Sequence, residues 1–564
     1  MRFSKRTVFR FFFLSVCALF INLKIFSQNS VKYHFWSDLP HEELAAYIAD
    51  NMTDEELFAQ ILMFGWAGNE PSVQLMQWID QRNLGAAKVY GWGTDNTTNV
   101  AKSVKLVQEH SEMCRFKIPM YIATDQEGGI IRHIKGDTSD TPGNLAIGAG
   151  GYAYDAFYTG YYIAEELRCL GVNMNFAPTV DIYTNLKSTV IGPRSFGSDP
   201  KITGIMGSAF CAGSIKAGVI PTAKHFPGHG DTDADSHGAL PKINIDIDTL
   251  FDRELLPFKY LIEQNVPAIM SGHLSFPKIL KNGEPASLSK YFLTDILRDT
   301  LGYKGLIITD DMMMNGATIY AGSLSHAVRL AIEAGNDIVI SSTTAQLNEP
   351  LWTHNLELMK TNSVFRAKVK EAAHHVILSK LRYFKSENSV PVYPDIENLD
   401  KYIPNKEAEK YFISQACRSI TFEKEPTSVL KKNSPVLIAS QYLSFINEGK
   451  KTFSSVTGHH FNYRMGPNET QWNADQIAGK IPKSIPVIIT IMNEDSVKLA
   501  NILSDMGFKV YAVSITSPVI IKNNLSIQKN AEAIIYAYSS SRYSFIAAFA
   551  VLTGDFVPQG KLPL

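Results

Sequence analysis

The sequence predicts an α/β protein in two parts, an N-terminal (β/α)8 barrel of the TIM type and a smaller C-terminal α/β sandwich domain. Three observations lead there. Eight short apolar runs recur along the first two thirds of the chain, most of them roughly 30 to 50 residues apart, with helix-like segments between them. Reactive side chains stand at or just beyond the ends of five successive runs. A stretch containing proline and lysine then separates this region from a second alternation of strand-like and helix-like segments.

The apolar runs are 60–66, 86–91, 119–125, 171–178, 218–225, 266–273, 305–310 and 336–341. Each is short and nearly continuous, as a strand buried on both faces must be. Ahead of the first, 41–63 has amphipathic helical spacing, and Thr53 followed by Glu56 has the spacing of a capping box that opens a second helix. Segments 154–170 and 323–334 read as helices between strands. A parallel barrel collects its reactive groups at the C-terminal ends of the strands. Asp125 ends the third run, Asp181 follows the fourth, Lys224 and His225 end the fifth, His273 the sixth and Asp310 the seventh. No glycine fingerprint of an open dinucleotide-binding sheet follows the first strand.

Beyond the barrel, 355–383 reads as helix and 391–433 as linker. The second domain, 434–564, shows strands near 436–439, 486–492, 509–514 and 533–538 and a helix at 494–506, with no concentrated acid/base cluster. Residues 29–390 are then the barrel domain.

The chain has 564 residues, 45% of them hydrophobic and 19% charged, with a formal net charge of -1. That balance gives no reason to expect a nucleic acid or an anionic membrane as partner. The N-terminus differs from the rest. Arg2, Lys5, Arg6 and Arg10 precede an apolar stretch, 11–23, that is too short to span a bilayer. Residues 1–28 read as a signal peptide, which predicts a periplasmic or extracellular protein whose mature form has no membrane span. Val16 before Cys17 is larger than the small residue lipoprotein sites prefer, so no lipid anchor is expected. The other four cysteines form no CxxC pair and outline neither a zinc knuckle nor a disulfide framework.

The chemistry concentrates in residues 224–241, KHFPGHGDTDADSHGALP. Two readings compete for His225, His229, Asp231, Asp233, Asp235 and His237. One is a metal site. No neighbouring His or Cys completes a ligand set, so no metal and no cofactor is expected. The other is acid/base catalysis: Asp235 stands two residues before His237, and a carboxylate that accepts from an imidazole fixes its tautomer and raises its basicity. His229 and Asp231 read as loop braces. No hydroxyl nucleophile stands nearby, whereas Asp310 offers a carboxylate one.

This loop resembles the signature of the β-N-acetylglucosaminidase branch of family 3 glycoside hydrolases. Three further stretches resemble that family in its order. Asp125-Gln-Glu-Gly-Gly is similar to its first sugar-binding loop, Ile191-Gly-Pro-Arg194-Ser-Phe-Gly to its arginine loop, and Ile308-Thr-Asp310-Asp311-Met to its nucleophile segment. The closing stretch, 554–563, resembles the end of its second domain. The resemblance implies a retaining double displacement with Asp310 as nucleophile, His237 as acid/base and Asp235 as its partner. It implies sugar contacts from Asp125, Arg194, Lys224 and His225, with His273 and Asp181 as secondary candidates and Glu127 behind Asp125. Strand alternation lets only one of Asp310 and Asp311 face the pocket, and the match points to Asp310. One departure is Ile130, where the family usually carries arginine; Arg132 is the candidate replacement.

The expected substrate is a terminal, non-reducing β-linked N-acetylglucosamine, with peptidoglycan or muropeptide fragments first. Alternatives are a β-glucosidase-type hexosidase, a β-N-acetylglucosaminide phosphorylase, a metal-dependent hydrolase and a non-catalytic sugar-binding protein.

Overall fold

A computed structural model describes residues 31–67, 69–188, 190–232 and 238–564. The expected signal peptide and two of the expected catalytic residues, Asp235 and His237, lie outside the described residues.

The eight apolar runs form a closed parallel barrel. Its strands are β1 Leu62–Trp66, β2 Ala86–Val89, β3 Tyr121–Thr124, β4 Met174–Asn175, β5 Ile220–Phe226, β6 Ala268–Ser271, β7 Leu306–Asp311 and β8 Ile338–Ser341. Each pairs with its sequence neighbour, and β8 closes on β1 through Leu62↔Val339. Nearly every strand residue is buried, which removes apolar surface from water at about 25 cal/mol per Å². The shortest strand, β4, is extended by side-chain amides. Asn173 accepts from the Ile122 amide at 2.8 Å and donates to the Met120 carbonyl at 3.1 Å. Asn175 does the same with the amide and carbonyl of Gln126, at 3.0 and 2.9 Å. These amides stand in for the ladder where the two-residue strand cannot supply it.

Helices form the outer ring where the 3.6-residue spacing placed them, among them Ala153–Cys169 and Leu324–Ala334. Thr53 and Glu56 complete the capping box, amide to side chain in both directions at 3.2 and 2.9 Å. The single helix expected over 355–383 is two, Pro350–Thr361 and Ser363–Phe384. Asn362 breaks it: its side chain accepts from the amides of Val364 and Phe365, an N-cap that competes with continuing the helix.

The second domain is a six-stranded sheet between two helical layers. Its strands are β9 Thr421–Lys424, β10 Pro435–Ser440, β11 Ser455–His460, β12 Val487–Ile491, β13 Val510–Ser514 and β14 Ala533–Tyr536, in the order β9-β14-β13-β12-β10-β11. Only β9 is antiparallel. Alternate residues of β10 enter opposite cores, Leu437 and Ala439 on one face and Val436 and Ile438 on the other. The domain begins earlier than 434. Within the stretch read as linker, helix Lys406–Ser419 and strand β9 both belong to this domain. Strands β9 and β11 escaped the sequence pattern because they are sheet edges, polar and partly exposed.

The two domains share a core. Leu145, Ala146, Ala149 and Tyr183 of the barrel domain pack into one face of the second sheet. Buried Asp155 accepts from the hydroxyl of Tyr411 at 2.6 Å and pairs with Arg418. The closing stretch returns to the barrel mouth, where the Ser198 amide donates to the Pro563 carbonyl at 2.9 Å. Gly197 has φ of 144° and lies so close to Pro563 that a Cβ would sit 2.4 Å from its carbonyl oxygen. The second domain thus braces the loop that carries Arg194.

Among the described residues no helix is long and apolar enough to cross a membrane. A groove of about 760 Å³ between helix Ala153–Cys169 and residues 391–407 lies at the barrel's opposite end, where that helix leads into β4.

Candidate active site

Two strand irregularities build the site. Pairing of β5 with β6 slips between Ala223 and Phe226, so Lys224 and His225 both leave the regular ladder. Pairing of β7 with β8 matches Ile308 to Ile338 but Asp311 to Ile340, an extra residue on β7 at Thr309–Asp310. The alternation expected for the two aspartates is therefore interrupted. What distinguishes them is hydrogen bonding.

Asp311 accepts three hydrogen bonds. It accepts from the Tyr90 hydroxyl at 2.9 Å and from the amides of Met313 and Ser342 at 3.0 Å each. Among the described residues, the Asp310 carboxylate accepts one hydrogen bond, from the Asp311 amide at 2.8 Å. Burial alone would raise its pKa. The imidazoles of His225 and His273, that amide and Lys224 outweigh burial and hold the carboxyl below its ordinary range. It is an ionised carboxylate with lone pairs to spare.

The pocket floor is a buried ionic lattice. Lys224 Nζ lies 2.6 Å from Asp125 Oδ1 and 2.7 Å from Glu127 Oε1. Lys88 Nζ lies 2.7 Å from Asp125 Oδ2. Arg194 meets Glu127 with Nε and Nη2, and Thr179 donates to Glu127 at 3.1 Å. Burial pushes the Glu127 carboxyl up, but Arg194 and Lys224 prevail and bring it down to about 2. Asp125 is likewise held well below its ordinary value by Lys224 and Lys88 against burial. Three cations face two carboxylates here, an excess of positive charge that favours an anion at Asp310. Each Asp125 oxygen keeps a lone pair for a hydroxyl, and the ammonium groups keep protons to donate.

Asp181 is fully buried and holds the other side. It accepts from His225 Nδ1 at 2.6 Å and from the amides of His225 and His229 at 3.2 and 2.7 Å. It positions His225 and reaches no open space of its own. His273 is likewise committed: Nε2 donates to the Asp311 carbonyl at 3.1 Å and Nδ1 accepts from Ser287 at 2.7 Å. Burial lowers its pKa. Asp231 pairs with Arg253 at 2.6 Å. Burial takes His229 down to about 4. Arg132 is engaged by its own loop, Nη2 donating to the carbonyls of Gly136 and Thr138 and Nε to the Thr138 hydroxyl.

The structure thus brings together Asp125, Lys224, Arg194, His225 and Asp310. It assigns Asp181 and His273 to support, and describes neither Asp235 nor His237. It moves Glu127 to the centre of the lattice and adds Lys88, Tyr90 and His133, the last with Nδ1 3.6 Å from Asp125 Oδ2. Lys88 had a signal: it is the one charged residue in the run Ala86-Ala-Lys-Val. Tyr90 had none.

A closed β/α barrel whose C-terminal mouth holds an ionised carboxylate with one described hydrogen bond, beside an ionic floor able to bind hydroxyls, fits glycoside hydrolysis. Residues 52–378 match the family described as glycosyl hydrolase family 3 N terminal domain, and the chain belongs to that family. Beta-hexosaminidase A of Pseudoalteromonas piscicida is 33% identical over 282 residues, which cover 47% of this chain and 47% of that protein, so the match spans about half that relative's length. The beta-hexosaminidase of Methylococcus capsulatus is 35% identical over 251 residues, 44% of this chain and 74% of the relative. Among solved structures, a glycoside hydrolase family 3 beta-N-acetylglucosaminidase from Paenibacillus sp. superposes with a TM-score of 0.81 at 26% identity, covering 91% of this chain and 98% of the other. A beta-glucoside phosphorylase superposes with a TM-score of 0.77 at 22% identity, covering 95% and 98%, and shares the fold.

Proposed function

We propose that this protein is an exported, retaining β-N-acetylhexosaminidase that removes terminal non-reducing β-linked N-acetylglucosamine, with peptidoglycan fragments as its source. The observation that carries the reading is the contrast between adjacent carboxylates: Asp311 accepts three hydrogen bonds, from Tyr90 and two amides, while Asp310 is held ionised with one described partner. The names of the relatives and of the Paenibacillus neighbour support N-acetylglucosamine as the sugar. The basic and apolar stretches at the N-terminus support export.

In this reading Asp125, Lys88, Lys224 and Arg194 hold the hydroxyls of the terminal sugar, and Asp310 attacks its anomeric carbon. His237, oriented by Asp235, protonates the departing oxygen and then deprotonates the water that releases the sugar. Asp181 keeps His225 aimed at the pocket.

The test is a panel of aryl N-acetylglucosaminide, glucoside and xyloside, run with and without phosphate on the wild type, Asp310→Asn and His237→Ala. Hydrolysis of the N-acetylglucosaminide, unaffected by phosphate and abolished in Asp310→Asn, is expected. Preference for the glucoside would overturn the sugar, and release of a sugar 1-phosphate would overturn hydrolysis. Purified muropeptides as substrate test the source, and cell fractionation tests the export.

A further inference from the structure

We propose that Trp92 is the platform on which the group beyond the scissile bond rests, and that this group is a pyranose ring. The inference rests on the glycosidase reading above and names the residue that selects the leaving group.

Trp92 lies three residues beyond β2, at the pocket rim, and is 70% exposed. A tryptophan that exposed buries little for the core, yet its position is fixed from beneath. Its ring stacks on Tyr90 with centroids 6.1 Å apart and planes 18° from parallel. Tyr90 is itself pinned on three sides. Its hydroxyl donates to Asp311 Oδ2 at 2.9 Å, Lys88 Nζ lies 4.4 Å from its ring centroid, and His133 packs at 5.7 Å. The column thus runs from the strand that carries Asp310 to an open aromatic face. The other oxygen of Asp311 accepts from the amide of Met313, a residue 44% exposed. One carboxylate, next to the nucleophile, therefore anchors two apolar surfaces of the rim.

The chemistry divides the pocket by depth. The floor offers charges and hydrogen bonds suited to the hydroxyls of one sugar. The rim offers a flat aromatic face, and the axial C–H groups of a pyranose stack on such a face. A substrate anchored by its terminal sugar has only its next residue at the rim, so Trp92 reads the ring that leaves. Tyr90 acts through Trp92 and Asp311 as a positioning residue.

The experiment compares two substrates that share the terminal sugar, the β-1,4-linked N-acetylglucosamine disaccharide and β-N-acetylglucosaminyl fluoride, whose leaving group is a single atom. Trp92→Ala is expected to lower kcat/KM for the disaccharide about tenfold, mostly through KM, and to leave the fluoride and inhibition by free N-acetylglucosamine within about twofold. Trp92→Phe should restore most of the loss. Equal losses on both substrates, or none on either, would overturn the platform while leaving the glycosidase reading intact. A wild type that cleaves neither substrate would overturn both.

Discussion

Arg194 meets Glu127 side on, with Nε 2.9 Å from Oε2 and Nη2 2.7 Å from Oε1. Glu127 is 1% exposed and also receives Lys224, so one buried carboxylate sets the place of both cations. Its partners, Arg194 on a loop and Lys224 in β5, are far apart in sequence. The lattice, more than any strand end, shapes the floor.

Glu127→Gln should therefore cost more in stability than a surface change, about 3 kcal/mol, because it leaves two buried cations short of a counter-charge. Its sign with pH follows from the depressed pKa. The carboxyl sits at about 2 in the fold against 4.5 ordinarily, so its stabilisation is present above pH 4.5 and is lost as pH falls toward 2. Denaturant unfolding at pH 7 and pH 3.5 checks this: the difference between wild type and variant should shrink at the lower pH.

Asp310→Asn should lower hydrolysis of an aryl N-acetylglucosaminide by at least about 10⁴-fold while the fold is kept, since the group is not a brace. Asp311→Asn should act differently. It weakens the hold on Tyr90, Met313 and Ser342, so a loss of stability of about 1–2 kcal/mol should accompany a smaller loss of rate. Circular dichroism melts beside initial rates separate the two outcomes.

Glu166 provides a pH test away from the chemistry. Buried in helix Ala153–Cys169, it accepts from the amide and hydroxyl of Ser139 at 2.9 and 2.6 Å, and burial lifts its carboxyl to about 7. The fold thus favours the protonated form, and this contribution is full below pH 4.5 and is lost as pH rises to 7. Over that interval wild type should lose up to about 3 kcal/mol relative to Glu166→Gln. Thermal melts at pH 5 and pH 8 check the sign.

Asp155 ties the domains together. Asp155→Ala removes the acceptor for Tyr411 and Arg418 and should cost about 2–3 kcal/mol. Limited proteolysis should then cut between the domains, within 385–405, faster than in wild type.

Much of this is legible in the sequence. All eight barrel strands are, because a strand buried on both faces is a nearly pure apolar run bounded by polar residues. Asp125, Lys224, His225 and Asp310 are legible as polar residues closing such runs. Strands β9 and β11 are not, because an edge strand carries no comparable burial constraint. The break at Asn362 was missed because helical periodicity continues through it, while the capping side chain acts locally.

The sequence by itself determined the barrel, the order of its motifs and the family, since burial and reactive-residue spacing are properties of one dimension. The tertiary structure decided which of those residues work together. Asp181 and His273 look like pocket residues in sequence, and three dimensions spend both on support. Glu127 looked secondary, and three dimensions make it the joint between Arg194 and Lys224. A side chain's role depends on what occupies its lone pairs and protons. That occupancy is set by partners tens to hundreds of residues away, and chain closure alone brings them within 3 Å.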